Sequence, residues 1–357
     1  MKVDCLIVGS GLAGLCFAET LFQKGHSFVL ISDDSQQASE VAGGLYNPLI
    51  LKRFTLAFKA ADQLDLAIPF YQAIEARLGQ TLDFKQEVLR IMHDPGEQNR
   101  WFEARDRSGY SRFMDETFVE SPHPKVEAPH KLARVLETGR LDTAAFRKAY
   151  IAWLKSAGLY VEERFEHAQL KLSDSTATYQ QFEADRVIFA EGFGLKQNPF
   201  FNFLPLQGSK GELLTIYAPE LDLQPVLKST VFIIPLGDQY YRVGATYDNH
   251  RLNNLPTEEA RSYLLERLRK FLKVDFEVVS HVAGVRPSVS DRKPLVGRHP
   301  QHAQLAVLNG FGSRGVMIAP FAAQALYRNL FEGVALDLEL DIRRFAERSR
   351  RPQGRNL

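Results

Sequence analysis

The sequence predicts a mixed α/β fold, α+β overall, in which a parallel-sheet domain is interrupted by a second domain built on a mixed sheet. Three observations support this prediction. A strand, a glycine-rich turn and a helix open the chain, and a buried strand near residue 190 again ends in glycine. Residues 208–247 are rich in β-branched and aromatic residues. With 357 residues, 45% of them hydrophobic, the chain can bury the core of one large or two joined domains.

Charge and cysteine content exclude several classes of protein. The 44 basic and 43 acidic side chains leave a net charge of +1, so no strong field draws the molecule to nucleic acid or to an anionic membrane. Cys5, Cys16 and the nine histidines show no metal-ligand spacing, and we expect no metal site and two core cysteines. No signal peptide or membrane span of about 20 apolar residues is recognisable. We expect a cytoplasmic protein that acts on a small molecule.

The first elements have the order of a nucleotide-binding unit. Residues 3–8 form a short apolar run, the glycine turn GSGLAG follows at once, and residues 15–23 have helical spacing. Glycines suit this turn because it is tight, the backbone must approach a pyrophosphate and the helix must pack close to the strand. A second strand at residues 27–31 completes a Rossmann-like unit. The residues assigned to the cofactor here are Gly9, Gly11, Leu12, Ala13 and Gly14.

The end of the second strand departs from the usual pattern. An acidic residue is expected there to hold a ribose hydroxyl, but Ser32 occupies that register, and Asp33 and Asp34 come just after it. Either aspartate could reach the ribose, or Ser32 could do so more weakly, or the aspartates could simply mark a solvated turn. Ser32 and Asp33 are retained as candidate cofactor residues.

The middle of the chain alternates between the two domains. Residues 38–47 are small and polar, and their glycines permit close approach of backbone to a ligand. Helices are expected at residues 54–78 and 141–157, with strands and irregular loops between 81 and 136. The strand at residues 184–190 ends in a glycine turn, as strands of a doubly wound sheet do at the edge that faces a ligand. The candidate cofactor residues in these segments are Ala42, Gly43, Gly44 and Gly192.

The second half of the chain is rich in strands before it returns to the first domain. Gly237 and Asp238 are placed to form a hairpin turn, and a helix at residues 256–273 begins at the N-cap Thr257. We therefore assign residues 1–80, 139–205 and 284–357 to the nucleotide-binding domain. Residues 81–138 and 206–283 are assigned to an inserted substrate-binding domain.

Six motifs occur in an order that resembles one known family: GSGLAG, GGLYNP, RVGATY, AGVRP, GRHP and GSRG. Their order is similar to that of the D-amino-acid oxidase family of FAD enzymes, whose members include glycine oxidase and the oxidase half of a bifunctional tRNA wobble-uridine biosynthesis protein. The resemblance implies that FAD is the cofactor and that the last glycine turn closes over the flavin ring. Residues 38–47 and 309–320 contain no Cys or His, so we expect non-covalent FAD. The residues assigned to the flavin are Gly310, Gly312, Ser313, Gly315 and Val316.

The same resemblance implies the reaction: oxidation of a C–N bond next to a carboxylate, by hydride transfer to flavin N5 and hydrolysis of the imine. Arg286 and Arg314 are expected at the substrate carboxylate, because a guanidinium fork pairs two carboxylate oxygens and stays charged. Strand alternation would place Tyr241 and Tyr247 on one face, and these two are the candidate tyrosines of the pocket. Phe232 stands where a tyrosine is expected, which weakens the case for glycine as substrate.

Two alternatives stay open beside an amino-acid-like substrate. An RNA-modification enzyme would remove a carboxymethyl group from a wobble uridine by the same chemistry, and residues 341–355 are basic enough to touch phosphates. Against it, the net charge is near zero, so tRNA is the less favoured partner. The other alternative is an FAD-carrying subunit of a larger dehydrogenase. The sequence carries no signal for the electron acceptor or for an oligomeric state.

Overall fold

The computed structural model describes residues 1–33 and 35–345. The helices of this part of the chain are α1 (Leu12–Gln23), α2 (Ala60–Leu78), α3 (Pro95–Arg105), α4 (Thr143–Ser156), α5 (Glu258–Arg269) and α6 (Gly315–Phe331). Its strands are β1 (Lys2–Val8), β2 (Phe28–Ser32), β3 (Leu45–Tyr46), β4 (Leu49–Ile50), β5 (Thr55–Leu56), β6 (Asp83–Phe84), β7 (Val88–Ile91), β8 (Met114–Val119), β9 (Leu132–Val135), β10 (Gly139–Leu141), β11 (Tyr160–Glu162), β12 (Lys171–Leu172), β13 (Ala177–Tyr179), β14 (Phe182–Phe189), β15 (Leu206–Tyr217), β16 (Val226–Lys228), β17 (Phe232–Gly237), β18 (Tyr240–Gly244), β19 (Glu277–Val289), β20 (Leu295–Arg298) and β21 (Leu305–Asn309).

The first sheet is parallel at its centre, in the order β11-β2-β1-β14, and β21 also pairs with β14. Alternate residues of β1 face opposite layers: Cys5 and Ile7 pack with the helices α1, α2, α4 and α6, whereas Leu6 and Val8 pack on the other side. Burial on both faces explains why residues 5–8 of the strand are all apolar. The predicted parallel-sheet architecture is confirmed.

The second sheet has eight strands in the order β19-β15-β18-β17-β16-β7-β9-β8. All neighbours are antiparallel except β16 and β7, so the sheet is mixed as predicted. Its strands come from two separate stretches of chain, and α5 covers one face through Leu264 and Leu268. The long strand β19 runs across the domain boundary placed at residue 284, and that boundary remains a prediction.

Two local predictions differ from the structure. The helix expected from residue 54 begins only at Ala60, because β4 and β5 form a small hairpin just before it. The helix α3 was not expected, although its signals are present. The Asp94 carboxylate accepts a hydrogen bond from the Glu97 amide at 2.7 Å, and Pro95 occupies the first turn. Trp101 buries one face of this short helix.

The remaining general expectations concern cysteines, metals and membranes. Cys5 and Cys16 are free and fully buried, and burial raises the pKa of both thiols. Within residues 1–33 and 35–345, no group of His, Cys, Asp and Glu side chains is placed to hold a metal ion. None of the helices in the described chain combines the length and the apolar character needed to cross a bilayer.

Candidate active site

A cavity of about 690 Å³ lies between the carboxyl ends of β1, β2 and β14 and one face of the second sheet. Its size is in the range of pockets that bind small molecules and cofactors. Position at the carboxyl ends of parallel strands is the usual place for a ligand in such sheets. The predicted residues that line it are Gly9, Gly11, Leu12, Ala13, Ser32, Asp33, Ala42, Gly43, Gly44, Gly192, Tyr247, Arg286, Gly312, Ser313, Gly315 and Val316.

The first glycine turn has the tight geometry that a pyrophosphate site requires. Gly9 has φ of +105°, and a Cβ there would lie 2.5 Å from the Ala190 carbonyl oxygen. Gly14 does not line the cavity. A Cβ on Gly14 would overlap the carbonyl of Gly9, so Gly14 permits close packing of α1 against the turn. The first amides of α1 have no partner within the helix. The Leu12 amide donates to the Ser39 hydroxyl at 3.1 Å, and the amide of Ala13 is available to an anion at the cavity.

Both candidate ribose residues stand at the cavity. The Ser32 hydroxyl oxygen accepts hydrogen bonds from the Ser10 amide at 3.3 Å and from the Ser10 hydroxyl at 3.0 Å, which leaves its own proton to donate. Asp33 is exposed, and its carboxylate accepts from the Ser35 amide at 3.0 Å. Asp34 lies outside the described residues. Which residue holds the ribose therefore stays a prediction.

Sequence reasoning missed several residues at this end of the cavity. Arg147 of α4 donates to the Ser10 carbonyl at 3.0 Å and to the Ser10 hydroxyl at 2.9 Å. These two hydrogen bonds stabilise the glycine turn. Residues 164–167 also line the cavity. No local motif marks them, because they follow the short strand β11 and are brought to the site only by the sheet.

The second glycine turn is hydrogen-bonded to two other segments of the cavity wall. The Asn309 side-chain amide donates to the Gly192 carbonyl at 3.0 Å, and the Gly312 amide donates to the Pro287 carbonyl at 2.9 Å. Gly310 itself does not line the cavity; its φ is +80°, and a Cβ there would lie 2.6 Å from Val289. The turn thus sets the N-terminus of α6 at the cavity, with Ser313, Gly315 and Val316 on its wall.

Arg286 of β19 lies inside the cavity with most of its donors open. Its Nη1 donates to the Thr246 carbonyl at 3.1 Å, and its guanidinium carbon lies 4.6 Å from the ring centre of Tyr247. The guanidinium rests on Gly211, where any Cβ would overlap it. Burial lowers the pKa of Arg286, and no carboxylate of the described residues offsets this effect. Gly211 was not singled out from the sequence.

Arg314 occupies the N-cap position of α6 and is half-buried. It is not itself among the residues of the cavity wall, but Ser313 and Gly315 on either side of it are. Its Nη1 is buried and has no hydrogen-bond partner among the described residues. Burial lowers the pKa of its guanidinium, and the nearby Tyr247 partly offsets this by raising it. A role for Arg314 at the substrate remains a prediction.

The assignment of Tyr241 to the site is wrong. Tyr241 is 3% exposed and packs on the far face of the second sheet, where its hydroxyl accepts a hydrogen bond from the Leu223 amide at 3.2 Å. The alternation that linked it to Tyr247 fails because β18 ends at Gly244. Tyr247 lies on the loop after the strand, 71% exposed and at the cavity.

An apolar wall completes the cavity opposite the glycine turns. Leu213 of β15 and Phe232 and Ile234 of β17 all line it. They share one face of the sheet because Gly244 of β18 pairs with both Leu213 and Phe232. Phe232 brings no hydroxyl, as the sequence indicated. Such a wall excludes water from bound ligand without offering an acid or a base.

The chain matches the model of the family described as "FAD dependent oxidoreductase" over residues 4–328. It belongs to this family of FAD-dependent oxidoreductases. The family resemblance given by the six motifs is thereby confirmed, and FAD is the cofactor. The protein is an enzyme of the oxidoreductase class.

Individual relatives are distant in sequence and similar in fold. The chain is 24% identical over 345 residues to a glycine oxidase of Pseudomonas aeruginosa, covering 91% of this chain and 94% of that protein. It is also 24% identical to the tRNA 5-methylaminomethyl-2-thiouridine biosynthesis bifunctional protein of Burkholderia thailandensis, covering 95% of this chain but only 58% of that protein. The crystal structure of glycine oxidase from Bacillus cereus has a TM-score of 0.77 at 20% identity, covering 94% of this chain and 96% of that one. L-proline dehydrogenase from P. horikoshii has a TM-score of 0.79 at 14% identity, covering 97% and 98%.

Proposed function

We propose that this enzyme oxidises the C–N bond of an amino acid or secondary amine that bears a carboxylate. The observation that carries the proposal is the Arg286 guanidinium, which lies in the cavity with a single described hydrogen bond, to Thr246. A guanidinium has five N–H donors, so Arg286 can still pair with a carboxylate through its fork. The similarity to glycine oxidase over 91% of the chain supports the same substrate class.

The cavity wall suits FAD in two places. The turn at Gly9 and Gly11 and the amide of Ala13 would hold the pyrophosphate, and Ser32 or Asp33 would hold the ribose. The Leu12 amide already donates to the Ser39 hydroxyl. Residues 310–316, at the N-terminus of α6, would face the flavin ring, where a helix N-terminus favours negative charge. When bound, FAD supplies the acceptor for a hydride. Among the His and Cys residues of the described chain, His167 alone lines the cavity, and its Nε2 lies 2.8 Å from Glu191 Oε1. We therefore propose that FAD is bound non-covalently.

The remaining work of the protein is orientation and exclusion of water. Arg286 would fix the carboxylate, and its stacking with Tyr247 would hold the guanidinium plane. Leu213, Phe232 and Ile234 would cover the carbon that loses the hydride. The amine must enter neutral, because its lone pair forms the C=N bond as the hydride leaves, and water then hydrolyses the imine.

An anaerobic titration of the FAD-loaded protein, followed by visible absorbance, tests this proposal. The amines would be glycine, sarcosine, several D-amino acids, and D- and L-proline. We expect at least one to bleach the flavin. Arg286→Met should keep its FAD but bind that substrate about 100-fold more weakly, the scale of two charge-assisted hydrogen bonds. Arg107→Met, a change at an exposed arginine beside α3, is the control and should bind normally. Full affinity in Arg286→Met would contradict the assignment.

The similarity to the bifunctional tRNA protein favours a second candidate function. It covers 95% of this chain, although the chain spans 58% of that protein's length. The same C–N oxidation would then remove a carboxymethyl group from a wobble uridine. A tRNA that carries 5-carboxymethylaminomethyl-uridine belongs in the titration for this reason. Bleaching by the tRNA alone would establish the second candidate, and bleaching by no compound would favour an FAD-carrying subunit.

A further inference from the structure

Residues 245–257, here called the Tyr247 segment, join β18 to α5 and form neither helix nor strand. Several of the segment's side chains are exposed, yet it provides both described contacts of the Arg286 side chain that lie beside the cavity. The Thr246 carbonyl accepts a hydrogen bond from Arg286 at 3.1 Å, and the Tyr247 ring centre lies 4.6 Å from the guanidinium. Ordering such a segment costs conformational entropy, so its position at Arg286 depends on the contacts that hold it.

The first part of the Tyr247 segment continues alongside β15 after β18 has ended. Lys210 of β15 and Asp248 exchange two backbone hydrogen bonds, at 2.7 Å and 2.9 Å, as an antiparallel bridge. Tyr247 is therefore the neighbour of Gly211, the next residue of β15. Since Gly211 is the residue on which the Arg286 guanidinium rests, this pairing brings the Tyr247 ring to that guanidinium.

The last part of the Tyr247 segment is held by a buried charge. The Lys210 side chain is fully buried, and its ammonium donates to the Asn253 side-chain oxygen at 3.1 Å and to the Leu255 carbonyl. The same ammonium lies 3.3 Å from the Glu212 carboxylate. A lysine has three N–H donors, and Lys210 has three oxygen partners, two of which belong to the segment.

Glu212 holds the point at which the Tyr247 segment enters α5. Its carboxylate accepts from the Thr257 amide at 2.7 Å and from the Thr257 hydroxyl at 3.0 Å, and Thr257 is the N-cap of α5. Glu212 is 2% exposed and also lies 3.0 Å from the His281 ring. The ion pair of Lys210 and Glu212 thus contacts the segment at three of its last five residues.

The location of this ion pair argues against a direct part in catalysis. Lys210 and Glu212 alternate with Gly211 along β15, so their side chains lie on the face of the strand opposite the Arg286 guanidinium. Neither is among the described residues that line the cavity. A buried ion pair is seldom more stable than apolar side chains of the same size, so stability alone does not explain it.

We propose that Lys210 and Glu212 are positioning residues for substrate binding. Their ion pair holds the Tyr247 segment in the one position that places the Thr246 carbonyl and the Tyr247 ring on the Arg286 guanidinium. This inference rests on the proposed function, in which Arg286 binds the substrate carboxylate. Substrate affinity should therefore depend on two charges that never touch the substrate.

Two variants separate positioning from stability. Lys210→Met leaves the Glu212 carboxylate buried without its cation and should lower the Tm. The double variant Lys210→Met/Glu212→Met removes both charges and should regain most of that Tm, but it cannot restore the contacts with the segment. Methoxyacetate, a carboxylate with an ether oxygen in place of the amine, is titrated into each FAD-loaded protein while the flavin absorbance is followed. We expect both variants to retain FAD and to bind methoxyacetate about 10-fold more weakly, the scale of one lost ring contact and one lost hydrogen bond.

A milder change tests the same contact from the exposed side. Asn253→Ala removes one partner of Lys210 without altering a buried charge, and it should weaken methoxyacetate binding by about 3-fold. Asn249→Ala, at another exposed position of the Tyr247 segment, is the matched control and should bind normally.

Limited trypsin digestion reads the position of the segment without any substrate. Arg251 is exposed within the Tyr247 segment, and cleavage after it can be followed by mass spectrometry. We expect faster cleavage at Arg251 in the double variant and in Asn253→Ala than in the unmodified protein. Asn249→Ala should be cleaved at the normal rate.

Four results would overturn the inference. They are recovery of methoxyacetate affinity together with Tm in the double variant, normal affinity in Asn253→Ala, an unchanged rate of cleavage at Arg251, and an equal loss of affinity in the Asn249→Ala control. Each of these leaves the proposed amine oxidation intact. If the unmodified protein binds no methoxyacetate and no amine reduces its flavin, the proposed function fails and the inference fails with it.

Discussion

Replacing Gly211 by alanine should displace the Arg286 guanidinium from the cavity while the arginine itself is kept. The Gly211 Cβ position is occupied by the Arg286 guanidinium, whose Cζ, Nη1 and Nη2 atoms would all overlap a methyl group. Gly211 lies on β15, directly paired with Gly284 in the middle of a long antiparallel ladder, so its backbone cannot withdraw easily. The arginine must therefore leave its position over the strand.

The expected loss follows from the contacts that Arg286 would make. Two charge-assisted hydrogen bonds to a carboxylate are worth about 3 kcal/mol together at the lower limit, or about 100-fold in affinity. The added methyl group also overpacks the site, which should lower the free energy of unfolding by about 1–3 kcal/mol. FAD binding should persist, because the glycine turn at Gly9 lies on another sheet.

The assay is a double-mutant cycle in which dissociation constants of the substrate or of an inert carboxylate are read from the flavin absorbance. Gly211→Ala and Arg286→Met should each weaken binding about 100-fold. Combined, they should weaken it no further, because both remove the same contact. Additive losses would refute the reasoning, since Gly211 would then act independently of Arg286. Normal affinity in Gly211→Ala would refute it as well.

Three further predictions concern cofactor binding and stability. Gly9→Ala should lose FAD, measured as flavin per protein, because the methyl group meets the Ala190 carbonyl at a φ of +105°; normal flavin content would contradict this. His299 has a pKa lowered by burial to about 4, so its unfolded form binds the proton first as pH falls below about 6.5. Through this group, stability should fall by about 2 kcal/mol from pH 7 to pH 5 in urea unfolding, and His299→Gln should remove that contribution. Tyr241→Phe should cost about 1 kcal/mol through its lost bond to Leu223 and leave substrate affinity unchanged, whereas altered affinity would return Tyr241 to the site.

Much of the cofactor site was predictable because its requirements are local. A turn that brings backbone close to a ligand needs glycine within a few residues of a strand and a helix, and Gly9 and Gly312 show this directly in sequence. The helix α3 was predictable in principle from Asp94 and Pro95, and it was missed because its surroundings read as strands and loops. By contrast, no local signal identifies Arg147, which reaches the turn from α4.

The sequence by itself determined the two glycine turns, because short-range sterics dictate those residues, and the order of its six motifs indicated the family and, through it, the cofactor. Only the tertiary structure decided which side chains face the substrate. Alternation along a strand defines two faces but not which of them is covered by α5, and for that reason Tyr241 lies in the core. The position of Arg286 over Gly211 likewise depends on pairing between β15 and β19, strands that are far apart in the chain and meet only when the sheet forms.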